Sequence, residues 1–267
     1  MLRLQELDIV ESKDRLSLIP EGKVLINTIN AHSYNVAQRD KQFAEALQTV
    51  QGSRCIVEGS LPCMKYLIPD GVSIVKACHW LKAKSQPKER IAGWDLFSFE
   101  MERINENDNH NENEKRRVMF LGSSEKVLTL IRQRAAIDYP KLEVVTYSPP
   151  YKPVFSEEDN MAMIQAINKT NPDLLWIGMT APKQEKWAYQ HWDKLNIHCH
   201  CGTIGAVFDF YAGTARRAPL WWQEHSLEWL YRLLTEPRRM WRRYVIGNPL
   251  FLWNIMKEKI MRSNDAN

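Results

Sequence analysis

The chain has 267 residues, 44% hydrophobic and 25% charged, with a formal net charge of +4. That suffices for the full core of one α/β domain plus an appendage, or of two small domains. No stretch reaches the eighteen or so apolar residues needed to span a bilayer, and the opening MLRLQELDIVESKD carries charge where a signal peptide needs an apolar core, so a cytoplasmic protein is expected.

The five cysteines, Cys55, Cys63, Cys78, Cys199 and Cys201, are odd in number and scattered, which excludes a disulfide framework. The run His198-Cys-His-Cys201 reads as strand, where neighbouring side chains face opposite ways, so buried thiols are expected there rather than a metal site.

In chain order, Lys23 to Asn27 reads as a strand that leads into the polar turn Thr28 to Ser33 and a helix to Val50, its apolar positions at helical spacing. Thr28 and Asn30 sit where short polar side chains cap a helix or touch a ligand. Cys63 to Ile68 is the next strand, stopped by Pro69-Asp70-Gly71. Pro and Gly hold Asp70 at a strand terminus; an Asp beside Gly is also ordinary turn chemistry. A helix over 72–81 follows, then Glu89-Arg-Ile-Ala-Gly93 and another helix through Arg103.

The Asn- and Glu-rich stretch 105–116 reads as a solvated loop between two halves of a catalytic domain over residues 1–212. Beyond it come a strand over 117–121, a helix over 125–139, a strand over 143–147 and a helix opened by Ser156 as N-cap. Next is LLWIGMTAPKQEKW, a strand over 174–177 closed by Gly178, then a helix for which Thr180 is placed as cap and Pro182 within the first turn. Lys183 and Gln184 are expected to project into the crevice at the carboxyl end of the sheet, where α/β sheets bind phosphates. A strand over 197–201 completes the alternation, which predicts a Rossmann-like α/β fold: a mainly parallel sheet with helices on both faces.

Residues 213–267 differ. Ten Arg or Lys against four Glu lie between Arg216 and Arg262, and five of the ten tryptophans fall there. Leu227, Leu230, Tyr231 and Leu234 form a helical stripe. Cations interleaved with indole rings suit the interface of an anionic bilayer, which predicts a helical membrane-docking appendage. Packing on the domain and single-stranded nucleic acid are the alternative readings of that pattern. Nucleic acid is disfavoured, because the basic excess is confined to the tail and no nucleic-acid motif is present.

The segments Ala181-Pro-Lys-Gln-Glu-Lys-Trp187, Val207-Phe-Asp-Phe-Tyr-Ala-Gly213, Arg217-Ala-Pro219 and Leu227-Glu-Trp-Leu-Tyr-Arg232, in that order, resemble the WecG/TagA/CpsF family of bacterial glycosyltransferases. The resemblance implies an inverting transfer of an N-acetylmannosamine-type or related hexose from a UDP-sugar donor to a polyprenyl-diphosphate-linked sugar acceptor. Such an enzyme would work in surface polysaccharide biosynthesis, peripheral on the inner face of the cell membrane. It assigns Asp70 as base, Thr28, Asn30, Arg90 and Gln184 as further catalytic residues, and Arg217, Arg232, Arg239 and Arg242 as arginines delivered to the diphosphate. Lys183, Glu185, Phe208 and Asp209 in the matching segments, and Gly205 just ahead of one of them, are substrate-binding candidates.

The chain has no Asp-x-Asp, so no metal and no cofactor is expected, and arginine forks would meet the charge of the leaving group. Thr180 and Thr203 stand where the family commonly has glycine, which would narrow the backbone's approach to a phosphate. The segment 51–62 is longer than the family pattern suggests and is a candidate for acceptor specificity. A homo-oligomer is a further possible arrangement. The alternative function is a non-catalytic nucleotide-sugar or lipid-binding protein recruited to membranes.

Overall fold

The computed structural model describes residues 2–48, 64–106 and 115–265. Cys55, Cys63, the segment 51–62 and most of the Asn-rich loop lie outside the described residues.

The first half contains β1 (Val24–Ile29), α1 (Ala31–Ala37), α2 (Lys41–Leu47), β2 (Met64–Pro69), α3 (Val72–Leu81) and α4 (Gly93–Glu106). The second contains β3 (Arg116–Gly122), α5 (Glu125–Asp138), β4 (Leu142–Tyr147), α6 (Glu157–Thr170), β5 (Leu174–Gly178), α7 (Lys183–Gln190), β6 (His200–Thr203) and α8 (Gly205–Tyr211). All strands pair in parallel in one six-stranded sheet of order β2-β1-β6-β5-β3-β4. The predicted α/β class is therefore the observed one.

Parallel strands buried on both faces need apolar residues at successive positions, as Leu174 to Ile177 supply. On one face α4, α5 and α8 pack around Phe97, Phe120, Trp176, Phe208 and Tyr211. On the other lie α6 and α7, and α1 to α3 over the β1–β2 edge. Neighbouring β3 and β5 thus lead to helices on opposite faces, which opens a crevice at their carboxyl ends. At its floor Gly122 has a φ of +122°, and a Cβ there would collide with the Gly178 carbonyl.

Several local expectations shift. The helix foreseen from the first turn to Val50 is two helices, because the Asp40 carboxylate accepts from Phe43 N at 3.0 Å and starts α2 afresh. Thr28 lies within β1, paired opposite Ile68, and not in the turn. Thr180 does not cap α7. Its carbonyl accepts from Lys183 N at 2.9 Å, and Pro182, after a cis peptide bond, occupies the N-cap position itself.

The last strand starts at His200, later than predicted, and alternates as expected. Cys199 and Cys201 enter the core beneath α6 and α7, while His200 Nδ1 meets Glu100 Oε1 at 2.9 Å on the other side. Thr203 is a buried strand residue whose hydroxyl donates to Asn27 Oδ1 at 2.8 Å, so its side chain points into the core and not toward a phosphate.

The C-terminal segment forms α9 (Leu220–Glu224), α10 (Glu228–Thr235), α11 (Pro237–Trp241), a π-helical stretch Arg242–Ile246, and α12 (Gly247–Asp265). Phe251 and Ile255 of α12 complete the core over α1 and α3, with the Tyr34 and Phe251 rings edge to face at 5.5 Å. Glu258, buried, accepts from Tyr34 Oη at 2.6 Å and from Gln5 N at 2.8 Å. Two donors satisfy a carboxylate taken out of water, the condition under which such burial is tolerated. Elsewhere Leu220, Trp221, Leu234, Val245, Leu252 and Trp253 are exposed. No helix among the described residues is long and apolar enough to cross a membrane.

Candidate active site

The site grows from the carboxyl ends of β1 and β2. Asn30, the first residue after β1, caps α1: its Oδ1 accepts from His32 N at 3.1 Å and Ser33 N at 3.0 Å, and Ser33 returns the bond in a capping box. Because the amide oxygen is committed to the helix, the amide nitrogen must face the other way. There it lies 3.4 Å from Asp70 Oδ2. One side chain thus both caps a helix and orients a carboxylate.

Asp70 is fixed by its backbone as well. Its N–H donates to Ile29 O at 2.8 Å, and the adjacent Pro69 carbonyl accepts from Ile91 N at 2.9 Å, which sets Arg90 beside it. Burial is the largest influence on the Asp70 carboxyl and pushes it up to about 6; Glu228 adds to the rise, while the Asn30 bond, Arg243 and Arg90 oppose it. A carboxylate that titrates near neutrality is a competent general base at the pH of a cell.

Three guanidinium groups bring positive charge to this carboxylate. Arg90 lies in the loop before α4 and is held by Glu228 of α10, at 2.5 Å and 3.1 Å to its two carboxylate oxygens. Arg217, stacked over Trp94 at 5.4 Å, approaches the same Glu228 at 3.9 Å and is within the field of Asp70. Arg243 comes from the π-helical stretch; it is within the field of Asp70, and the charges of Arg232 and Arg239 also act on it. Sequence reading passed over Arg243 and Glu228. The signal available for Arg243 was only its place in an Arg-rich helix, where Arg242 was chosen instead.

The other predicted site residues fall into separate places. Arg232 lies over the Phe210 ring, Arg239 pairs with Glu236 at 2.8 Å, and Arg242 lies over the exposed Trp241 ring. Thr28 is half-buried near the end of β1. Lys183 donates to Lys152 O at 2.5 Å and covers the Phe155 ring, which turns it toward the Pro-rich loop after β4.

Gln184 does not project into the crevice. It is buried, its Oε1 accepts from Met179 N and Gly205 N at 3.1 Å each, and its Nε2 donates to Glu185 Oε1 at 2.8 Å. It braces the end of β5 against the start of α8, across β1 and β6 from Asp70. Glu185 is buried beside it, and burial pushes its carboxyl up to about 7. Gly205 is required for this approach, since a Cβ would overlap the Met179 carbonyl and crowd Gln184. Phe208 packs in the core on Gly178 and Phe120, and Asp209 steadies the following turn through Thr214. These residues shape the floor from behind.

A base near neutral pH beside several guanidiniums is suited to activating a hydroxyl while receiving charge on an anionic leaving group. Three similar proteins share one name, N-acetylglucosaminyldiphosphoundecaprenol N-acetyl-beta-D-mannosaminyltransferase. That of Bacillus spizizenii (strain ATCC 23059 / NRRL B-14472 / W23) is 26% identical over 256 residues, covering 96% of this chain and 91% of its own. That of Bacillus subtilis (strain 168) is 25% identical over 235 residues, 88% of this chain and 80% of its own. That of Staphylococcus aureus (strain NCTC 8325 / PS 47) is 29% identical over 195 residues, 73% and 70%. The model of the glycosyl transferase WecG/TagA/CpsF family matches residues 2–265, so a single family spans both the sheet domain and the appendage, and the chain belongs to it as a glycosyltransferase.

Proposed function

We propose that the enzyme transfers N-acetylmannosamine or a related hexose from its UDP-sugar to a polyprenyl-diphosphate-linked sugar, with inversion and without a metal. The observation that carries this reading is Asp70, pushed up to about 6 and coupled to Arg90 and Arg243 at the carboxyl edge of the sheet. The names of the relatives support the sugar and the acceptor.

In this reading the ionised Asp70 takes the proton of the acceptor hydroxyl as its oxygen bonds to the anomeric carbon. The bond to the UDP oxygen breaks on the opposite face, and the pair of electrons leaves with UDP. Asn30 and Thr28 orient the base and the incoming hydroxyl. Arg90, Arg217 and Arg243, with Arg232 and Arg239 behind them, receive the charge. Gln184, Glu185, Lys183, Gly205, Phe208 and Asp209 set the backbone against which the donor lies. The absence of any Asp-x-Asp in the sequence supports charge stabilisation by arginine.

The exposed Trp221, Trp253, Leu220 and Leu252, together with the exposed Arg238 and Arg242, support docking of residues 213–267 on an anionic membrane surface, where a lipid-linked acceptor is met. The test combines UDP-N-acetylmannosamine with a short-chain prenyl-diphosphate N-acetylglucosamine and follows product by mass, with and without EDTA. A disaccharide product insensitive to EDTA is expected; no product with any UDP-hexosamine, or product only with added metal, would overturn the reading.

A further inference from the structure

Arg90 already holds an anion. Glu228 presents its two carboxylate oxygens to the two terminal nitrogens of Arg90 at 2.5 Å and 3.1 Å, and Arg217 lies 3.9 Å from Oε1, the oxygen at 3.1 Å. Two oxygens on one guanidinium edge is the arrangement a phosphate adopts. The pair joins residues 138 positions apart, one in the loop before α4 and the other at the first position of α10. It is also open to competition, since the two side chains retain 21% and 24% of their exposure.

Charge decides whether this pair can persist once substrate arrives. Arg90, Arg217 and Arg243 face Asp70 and Glu228, three positive groups against two negative. A diphosphate added on top would place its charge against the Glu228 carboxylate on the same guanidinium edge. Like charges so close repel, and one edge of Arg90 can engage only one anion in this way.

We propose that Glu228 is a place-holder for substrate diphosphate: its carboxylate occupies the seat of one phosphate on Arg90 and Arg217, and the incoming diphosphate displaces it, freeing the start of α10 from the sheet domain. This rests on the reading of the site as a diphosphate site, and it makes the appendage responsive to occupancy of the site it borders.

The test titrates inorganic pyrophosphate, UDP and a short-chain prenyl-diphosphate N-acetylglucosamine into the full chain and into Glu228→Gln by calorimetry at fixed ionic strength. Amide exchange over residues 228–235 is followed in parallel. Loss of a competing, partly exposed ion pair should tighten pyrophosphate roughly three- to tenfold in the variant. In the unaltered chain, saturating pyrophosphate should speed exchange over α10. Tightening of UDP assigns the seat to the donor, and tightening of the prenyl diphosphate alone assigns it to the acceptor.

Weaker or unchanged pyrophosphate binding in Glu228→Gln would show a fixed positioning residue and overturn the proposal, as would exchange over α10 that pyrophosphate leaves unchanged. Tightened pyrophosphate with no sugar transfer would instead sink the reaction assigned above and leave the place-holder standing.

Discussion

Replacing Asp70 by Asn separates chemistry from stability, because the two should move in opposite directions. The carboxyl is pushed up to about 6 in the folded chain, from the 3.8 of a free aspartate. At pH 7 about nine-tenths of it is ionised and at pH 5 about one-tenth, so kcat/KM should fall about tenfold per pH unit below 6. Asp70→Asn removes the proton acceptor and should lower transfer about 10²- to 10⁴-fold at pH 7.5.

Stability follows linkage. A carboxyl whose folded value is raised favours the fold most when protonated, below about pH 4, and that contribution is lost as pH rises through 6. The difference between the two values corresponds to at most roughly 3 kcal/mol. At pH 8 the Asn variant should therefore unfold at higher denaturant than the unaltered chain, and at pH 4 the two should coincide. Initial rates by mass and denaturant melts at both pH values make the measurement. Transfer within tenfold of the unaltered chain, or a variant less stable at pH 8, would refute the assignment of Asp70 as a buried base.

Further outcomes follow from other contacts. Arg243 holds the Asp70 carboxyl down, so Arg243→Ala should shift the acid limb of the pH–rate profile to higher pH, whereas Arg242→Ala, over Trp241 at the surface, should leave that limb in place and weaken binding to anionic vesicles. Gly205→Ala drives a methyl into the Met179 carbonyl and the Gln184 amide; a loss on the order of 2 kcal/mol in thermal or denaturant melts is expected, as for overpacking against backbone. Tyr34→Phe leaves Glu258 Oε2 without its donor, which should cost about 1–3 kcal/mol and raise proteolysis within α12 before global unfolding.

The order of strands and helices, the parallel sheet and the cap at Ser156 were legible in the sequence, because each depends on neighbours a few positions apart. Apolar runs of four or five, helical spacing and Ser, Pro or Gly at the junctions act locally. Asp70, Asn30 and Arg90 were pointed to by the family resemblance, and the structure brings these three together. Three things depended on tertiary packing. Gln184 looked like a ligand group because it opens a helix at the sheet edge, yet the N–H groups of Met179 and Gly205 claim its oxygen. Glu228 sits in an ordinary amphipathic helix, and only the approach of a loop 138 positions away makes it the partner of Arg90. Arg243 lies in a π-helical stretch, whose wider turn departs from the 3.6-residue register that a sequence pattern follows. Local sequence determined the scaffold and the turn that carries Asp70; which distant charges meet at that carboxylate was decided by how α10 and the π turn pack back onto the sheet.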